Sequence, residues 1–477
     1  MGEQPNVSMS SGRLKRFSNN ALAPVPAPAG QQAQIRAGAS SAWSVSALLK
    51  QVHWSLALSA FLLYVYVVTS YRFQLGTIAM STALVALPLE PGRFRLSPVV
   101  AWALALLGWA ALGWGTSEYS GVVGDNLLEF AKVCAVILVA VNVVTTRTRL
   151  RLFLLVFLAA FALYPVRGAL FNYFLYHGTF MGRAAWNYIY SNPNDLAGFC
   201  LLQFSLVAGV LAVEREKWIR TLAKIGMVLL PLLIVLTGSR GGFIALIAFV
   251  LIAFRKYAAQ LTKLAAIAVV GAIILVTVPN GIWNRLGTIR DVDQAHASSQ
   301  HEEESSTAQR IEIWKVASTI ALENPVTGVG LGAYPFAHYV YAQRPEFDPI
   351  AFGRRDAHST YLKFAAEMGI VGLAIFLGLV VSTFMDAERT RRAAKRTRPE
   401  FATQLFYMEA GLAAYLVAGI WASWGTLVIT YLHIALIHVA SRLLKEELAT
   451  QPAFARAPRN RATLPTQFAP QPAEKSV

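Results

Sequence analysis

The chain has 477 residues, of which 55% are hydrophobic and 14% are charged. Soluble globular domains carry about 25% charged residues, so this composition excludes an ordinary soluble domain. The formal net charge is +16, but the basic residues fall in the tails and in short segments between apolar runs. That distribution is typical of the cytoplasmic loops of a membrane protein and does not indicate nucleic-acid binding.

The apolar runs are long and do not alternate with polar residues, which favours transmembrane helices over a membrane β-barrel. A bilayer core of about 30 Å needs about 20 apolar residues per helix, and on that count the sequence holds about twelve spans. The predicted fold is therefore an all-α polytopic integral membrane protein. No internal repeat is visible, so an inverted-repeat transporter is not supported.

Five regions follow one another along the chain. Residues 1–45, rich in Pro, Ala, Ser and Gln, are expected to form a disordered cytoplasmic arm. Residues 46–280 hold nine expected spans, residues 281–357 form one large hydrophilic loop, and residues 358–445 hold three more spans. The Pro- and Arg-rich residues 446–477 are expected to be a disordered tail. Basic loops place both termini in the cytoplasm and the large loop on the opposite side.

An arginine surrounded by small residues lies between two expected spans, in Thr237-Gly-Ser-Arg240-Gly-Gly242. Glycine lets the backbone approach a ligand, successive N–H groups can bind an anion, and a guanidinium matches phosphate oxygens. The alternative is an interfacial arginine that reaches lipid headgroups. We expect Arg240, with Ser239 beside it, to bind an anionic substrate.

A second arginine belongs to the large loop. Residues 307–323 have apolar residues at helical spacing, and Arg310 lies one turn before Trp314. The apolar face of this expected surface helix is formed by Ile313, Trp314, Ala317, Ile320 and Ala321. The alternative to a functional Arg310 is a solvated arginine on an ordinary amphipathic helix.

Further polar residues lie near the same interface. The fifth span is expected to end at Arg167, and Arg183 follows in a polar-aromatic loop. Both arginines either add positive potential to a site or bind lipid headgroups. Asn194 or Asp195 is expected to cap the next helix.

A histidine marks the change from the large loop to the tenth span. We expect Asp356 to cap a helix that begins at His358, whose ring the helix N-terminus keeps neutral, although Asp356 opposes this effect. The structural alternative is an interfacial polar residue. Lys363 and Glu367, one turn apart within the span, are expected to pair with each other.

Three other patterns are less specific. The run Gly328-Val-Gly330-Leu-Gly332 lacks the strand and helix of a dinucleotide site and is expected to form a tight turn. His296, His301 and the following glutamates fit no standard metal-ligand spacing. His338 is a weaker candidate for a second functional histidine. We expect no metal and no cofactor.

The histidine segment resembles a known family. His358-Ser359, followed after nine residues by Gly369 and after two more by Gly372, is similar to the signature of bacterial O-antigen ligases. The resemblance covers about residues 190–385 and extends to O-antigen polymerases and O-oligosaccharyltransferases. It implies a GT-C-like enzyme of the bacterial inner membrane whose large loop and active site face the periplasm.

The resemblance also implies an activity and its residues. A ligase transfers a polysaccharide from undecaprenyl diphosphate to a sugar hydroxyl of lipid A–core, with neither ATP nor metal, so these two molecules and the membrane lipids are the expected partners. The essential arginines of the family fall on Arg240 and Arg310, and its essential histidine falls on His358. The other candidates for substrate binding are Arg167, Arg183, Asn194, Asp195, Ser239, Trp314, Ser359 and Tyr361.

Three other functions remain open from the sequence. An O-antigen polymerase would use the same donor with a second lipid-linked glycan as acceptor, and a protein O-oligosaccharyltransferase would use a Ser or Thr side chain. A lipid or polysaccharide transporter would carry charges along the midplane of many spans. Here the isolated charges gather near one interface, which favours an enzyme.

Overall fold

The computed structural model describes residues 44–71, 75–257 and 302–450. These residues form helices and loops and no β-strand. The expected ninth span at about 264–280, His296, His301 and most of both expected disordered tails lie outside the described ranges.

The helices follow one another along the chain and account for most of the described residues. In chain order they are Val45–Gln51 (α1), Leu56–Ser70 (α2), Gly76–Ala86 (α3), Pro98–Thr116 (α4), Ser120–Val143 (α5), Arg147–Phe161 (α6), Arg167–Phe174 (α7), Pro193–Val213 (α8), Lys217–Leu236 (α9), Arg240–Tyr257 (α10), Glu302–Glu323 (α11), Tyr334–Tyr341 (α12), Thr360–Ala394 (α13), Pro399–Ala418 (α14) and Val428–Ala449 (α15).

Seven helices in the described ranges are long and apolar enough to cross a membrane. They are α4, α5, the continuous α6–α7 helix, α8, α9, α13 and α15, while α2 and α3 are shorter apolar helices. The protein is thus a helical, polytopic membrane protein, as predicted. The count of twelve spans and the periplasmic position of the large loop stay predictions.

The fifth predicted span does not end at Arg167. A π-helical turn, Ala162–Val166, contains Pro165 and joins α6 to α7, so the helix continues to Phe174. Proline lacks an N–H group and its ring crowds the preceding turn, and the wider π turn accommodates both effects. The single basic residue was therefore a poor marker of the helix end.

The basic loops contact one another at one end of the helices. Arg151 pairs with Glu214 at 2.8 Å, Arg147 pairs with Glu447 at 2.6 Å, and Arg95 pairs with Glu446 at 2.7 Å. We call this end the basic face, formed by Arg95, Arg147, Arg151, Glu214, Arg398, Glu446 and Glu447. The opposite ends of α8, α10 and α13 carry Asn194, Arg240 and His358, and we call that end the pocket face.

The described part of the large loop packs into the helical core. Helix α11 lies against α13, and its buried side chains are Ile313, Val316, Ala317 and Ile320. The predicted amphipathic helix is present, but it begins at Glu302 and faces protein. The glycine run forms the expected turns, with φ of +67° at Gly328, +107° at Gly330 and +77° at Gly332.

Helix α13 is interrupted where the loop crosses it. Gly369 has φ +65° and ψ −174°, and a Cβ atom there would lie 2.0 Å from the Val326 carbonyl oxygen. The loop replaces the hydrogen bonds lost at the break: the N–H groups of Val329 and Gly330 donate to Ala366 and Glu367 at 2.9 Å. Buried backbone polar groups at membrane depth need such partners, so this break ties the loop to the span that follows His358.

Candidate active site

The Arg240 turn is held by short-range contacts. The Ser239 Oγ atom accepts from the Gly242 N–H at 3.2 Å, as a helix N-cap does. Gly238 has φ +56°, and a Cβ atom on Gly242 would lie 2.6 Å from the Ala197 Cβ atom of α8. Glycine is therefore needed at position 238 for the backbone conformation and at position 242 for close packing. Together the two glycines place Arg240 at the first position of α10.

Arg240 and Arg310 meet in one pocket on the pocket face. The pocket is lined by Asn194, Gly238, Ser239, Arg240, Gly241, Arg310, Trp421, Ala422 and Trp424. The N-terminus of α10 lies in its wall. A helix N-terminus favours anions, and guanidinium groups bind phosphate oxygens through charge-assisted hydrogen bonds. The pocket therefore has the chemistry of a phosphate or diphosphate site.

Arg183 supports this pocket from within the protein. Its side chain is buried, with its Nε atom donating to the Thr237 carbonyl at 2.6 Å and its Nη2 atom donating to Asn194 Oδ1 at 2.8 Å. The interpretation of Arg183 as a lipid-headgroup ligand is therefore wrong. Its charge lies behind the turn and adds positive potential to the pocket.

The start of α8 differs from the prediction. Asn192, not Asn194 or Asp195, is the N-cap, and its side chain accepts from the Asn194 N–H at 2.9 Å. Asp195 instead accepts from Trp424 Nε1 at 2.8 Å. Trp424 lies on Gly198, where a Cβ atom would approach its ring to 2.6 Å, so Asp195 fixes an aromatic wall of the pocket.

Arg167 lies apart from this site. Its side chain is exposed and its guanidinium carbon lies 5.4 Å from the centre of the Phe171 ring. It does not line the pocket that contains Arg240 and Arg310.

His358 precedes α13 and has an unusual backbone. Its φ is +46°, a left-handed conformation that residues other than glycine seldom adopt. The helix N-cap is Ser359, whose buried Oγ atom accepts from the Leu362 N–H at 3.5 Å. Asp356 accepts from the His358 N–H at 3.3 Å. The predictions that Asp356 caps the helix and that His358 begins it are therefore wrong.

Burial and neighbouring cations keep the His358 ring neutral. Burial lowers the pKa of His358; Asp356 opposes this effect, and the positive charges of Arg310 and Lys363 reinforce it. The His358 Nδ1 atom lies 4.0 Å from Asp356 Oδ2, which is beyond hydrogen-bond reach. A neutral imidazole can accept a proton, and Thr360, two residues after His358, is hydrogen-bonded to Ala422 and Trp424 of the pocket wall.

Asp356 is held by a lysine from the helix that follows. The Lys363 Nζ atom donates to Asp356 Oδ1 at 2.8 Å. Burial raises the pKa of Asp356, but the positive charge of Lys363 outweighs this and the net pKa is lowered. Lys363 thus bonds to Asp356 and not to Glu367, contrary to the predicted pair. Glu367 is buried, and its Oε1 atom has no hydrogen-bond partner.

Several predicted substrate-binding side chains instead hold the His358 segment in place. The Trp314 indole N–H donates to the Ala357 carbonyl at 3.0 Å, and the Tyr361 hydroxyl donates to the Leu416 carbonyl at 2.7 Å. His338 is fully buried, and its Nδ1 atom lies 3.0 Å from the Gly353 carbonyl oxygen. Trp314 and His338 thus contact the backbone that precedes His358, and Tyr361 joins the first turn of α13 to α14. The His338 Nε2 atom has no hydrogen-bond partner.

Thr360 and the 419–424 segment were missed from the sequence. The Thr360 hydroxyl donates to the Ala422 carbonyl at 2.7 Å and accepts from the Trp424 N–H at 2.9 Å. These bonds join the start of α13 to the pocket wall. The aromatic run Trp421-Ala-Ser-Trp424-Gly, placed between two expected spans, was the available signal.

Comparison with known proteins agrees with this geometry. No curated protein matches the chain. The family model described as O-antigen ligase matches residues 225–377, a range that contains Arg240, Arg310 and His358. The activity of this family is glycosyl transfer of the O-antigen ligase or polymerase type. Residues 225–377 are therefore similar to the O-antigen ligase family.

Proposed function

We propose that the protein is an O-antigen ligase of the bacterial inner membrane. It transfers a polysaccharide from undecaprenyl diphosphate to a sugar hydroxyl of lipid A–core on the periplasmic side. The observation that carries this proposal is the pocket shared by Arg240 and Arg310 at the N-terminus of α10, beside a histidine whose pKa is lowered.

The two arginines bind the diphosphate of the donor. Each charge-assisted hydrogen bond contributes about 1.5–3 kcal/mol, and these contacts strengthen as negative charge develops on the leaving group in a water-poor site. Asn194 and Ser239 line the same pocket and complete the phosphate-binding wall. Arg183 adds positive charge from behind this wall.

His358 deprotonates the acceptor. The neutral imidazole takes the proton of the sugar hydroxyl, the hydroxyl oxygen attacks the anomeric carbon, and the bond from that carbon to the diphosphate oxygen breaks. The electron pair leaves with the diphosphate, whose low basicity removes the need for a general acid. One displacement of this kind inverts the anomeric configuration.

Asp195, Trp314, Ser359 and Tyr361 act by positioning in this scheme. Their polar atoms are engaged with Trp424, Ala357, Leu362 and Leu416, respectively. They hold the aromatic wall and the left-handed His358 in register with the arginines. Arg167 has no step in this scheme because it lies outside the pocket.

The experiment that tests the function asks which molecule gains the glycan. Purified protein in liposomes receives a lipid-diphosphate-linked glycan together with lipid A–core, and products are resolved by mass. We expect glycosylated lipid A–core and free undecaprenyl diphosphate. Elongation of the donor would identify a polymerase, and glycosylation of an added Ser/Thr peptide would identify a protein transferase. Translocation of the donor without bond transfer would reject the enzyme.

A further inference from the structure

A groove on the basic face takes no part in the chemistry proposed above. It lies between α1, α6, α8 and α14. Its residues on α8 begin at Val210, sixteen residues from Asn194, which is roughly 25 Å along a helix. The groove is thus remote from the arginine pocket.

The groove is polar at its mouth and apolar along its length. Arg147, Thr148, Arg151 and Glu214 lie at the polar end. The apolar walls are formed by Leu48, Leu150, Leu154, Leu155, Val210, Val213 and Phe401. From Arg147 to Leu155 the groove follows α6 for about 12 Å at 1.5 Å per residue. This depth is close to one leaflet of hydrocarbon, about 15 Å.

The charges at the mouth are only partly compensated. Arg151 is satisfied by Glu214, which binds its Nε atom at 2.8 Å and its Nη2 atom at 3.0 Å. Glu447 is shared: it binds Arg147 Nε at 2.6 Å and lies 3.9 Å from Arg398 Nε. Three arginines therefore face two glutamates at this end of the groove.

One guanidinium nitrogen of the groove lining has no hydrogen-bond partner. It is Arg147 Nη2, and it is buried. Arg147 is also held in place, with its guanidinium carbon 4.2 Å from the centre of the Phe401 ring. A buried donor of this kind needs an acceptor because an unsatisfied charged group is costly. An anionic oxygen of a phosphate is a suitable acceptor for a guanidinium group.

We propose that this groove binds one glycerophospholipid of the leaflet at the basic face, with its phosphate on Arg147 and an acyl chain along Leu155 and Val213. The phosphate supplies the missing acceptor and balances the excess positive charge. The chain fills the apolar walls, whose direction along α6 matches that of a lipid in the leaflet. The proposal does not depend on the transferase reaction.

The test measures lipid retention by the delipidated full-length protein. Native mass spectrometry follows binding of dioleoylphosphatidylglycerol, of dioleoylglycerol, which lacks the phosphate, and of inorganic phosphate. We expect one tightly held phosphatidylglycerol and at least about tenfold weaker binding of dioleoylglycerol, the ratio for one charged hydrogen bond. Inorganic phosphate alone should be held weakly because it gains nothing from the apolar walls.

Matched variants separate this site from general charge attraction. Arg147→Gln should weaken phosphatidylglycerol binding at least about tenfold, and Leu155→Trp should reduce it by filling the groove. Arg95→Gln is the control because Arg95 lies on the same face, pairs with Glu446 and does not line the groove. Equal binding of the two lipids, or equal loss in Arg95→Gln and Arg147→Gln, would overturn the proposal. A thermal-melting curve of each variant shows that it is folded.

Discussion

At the scale of single residues, His358 combines a left-handed backbone with a neutral side chain. The conformation costs of the order of 1–3 kcal/mol and is maintained by neighbours: Trp314 holds the preceding carbonyl and Asp356 holds the His358 N–H. Sequence reasoning found the histidine and both pocket arginines. It assigned capping to the wrong residues, because Asp, Asn and Ser are all suitable caps and only the backbone path decides among them.

The base role of His358 makes a direct prediction. His358→Ala should lower the transfer rate by about 10²–10⁴, the usual contribution of a general base, with the donor still bound. The measurement is single-turnover transfer in liposomes together with donor binding. His53→Gln is the comparison, and it should retain transfer because His53 is exposed and does not line the arginine pocket. Near-normal transfer by His358→Ala would contradict the base role.

The arginine fork of Arg240 makes a second prediction. Arg240→Lys keeps the charge but loses bidentate geometry, so the rate should fall by at least about tenfold, equivalent to one charged hydrogen bond. The same change at exposed Arg167 should leave the rate within about twofold, as expected for a surface residue. Full activity of Arg240→Lys would reduce Arg240 to an interfacial charge.

Lys363 tunes the base through Asp356, which can be tested by pH. The pKa of His358 lies below its ordinary value of about 6.5, so transfer should stay high at neutral pH and fall only as the pH drops through that lowered pKa. Lys363→Met removes a positive charge and leaves Asp356 uncompensated, and both effects favour the protonated imidazole. The acid limb of the pH–rate profile should therefore move to higher pH.

The control for this shift is Lys315→Met. Lys315 is exposed and pairs with Glu312 at 2.6 Å, so its loss should leave the acid limb in place. If Lys363 were only structural, Lys363→Met would lower the transfer rate at every pH without moving the acid limb. An acid limb that stays in place, or moves to lower pH, in Lys363→Met would contradict the role of Lys363 in positioning Asp356.

At the scale of elements, α13 shows features of a helix that sequence patterns did not predict. The apolar run predicted a span at about 358–385, whereas the helix is Thr360–Ala394 and breaks at Gly369. The helix extends beyond the apolar run because Arg391 and Arg392 pair with Glu388, and Arg391 also reaches Glu409 of α14 at 3.1 Å. Hydropathy identifies the part of a helix that lies in lipid, but it does not reveal a polar extension of the helix that ion pairs hold in place.

The break in α13 predicts a large effect of one methyl group. Gly369→Ala would place Cβ at 2.0 Å from the Val326 carbonyl oxygen at a positive φ. The melting temperature in detergent should drop, because the strained backbone alone costs about 1–3 kcal/mol. Gly108→Ala in α4 is the control, since nothing lies within 4 Å of its Cβ position, and it should leave stability unchanged or raised. Equal melting temperatures of the Gly369→Ala and Gly108→Ala variants would mean that the crossing loop moves to accommodate the new methyl group.

At the scale of the whole molecule, the contacts among basic loops predict orientation. If the basic face is cytoplasmic, a cysteine in place of exposed Arg354 on the loop before His358 reacts with a membrane-impermeant maleimide in spheroplasts. A cysteine in place of exposed Trp218, in the first turn of α9, reacts only after lysis. Cys134 and Cys200 are buried, so background labelling should be low. The reverse pattern would invert the proposed topology.

The sequence by itself determined the membrane class and the similarity of residues 225–377 to the O-antigen ligase family. These properties follow from composition, hydropathy and short spacings, all of which are local. Only the tertiary structure decided which candidates meet: Arg240 and Arg310 share a pocket, Arg183 supports it and Arg167 lies apart. The contacts that build the site join residues far apart in the chain, such as Asp195 and Trp424, which are 229 residues apart. Such pairs depend on how helices pack, and no local pattern encodes that packing.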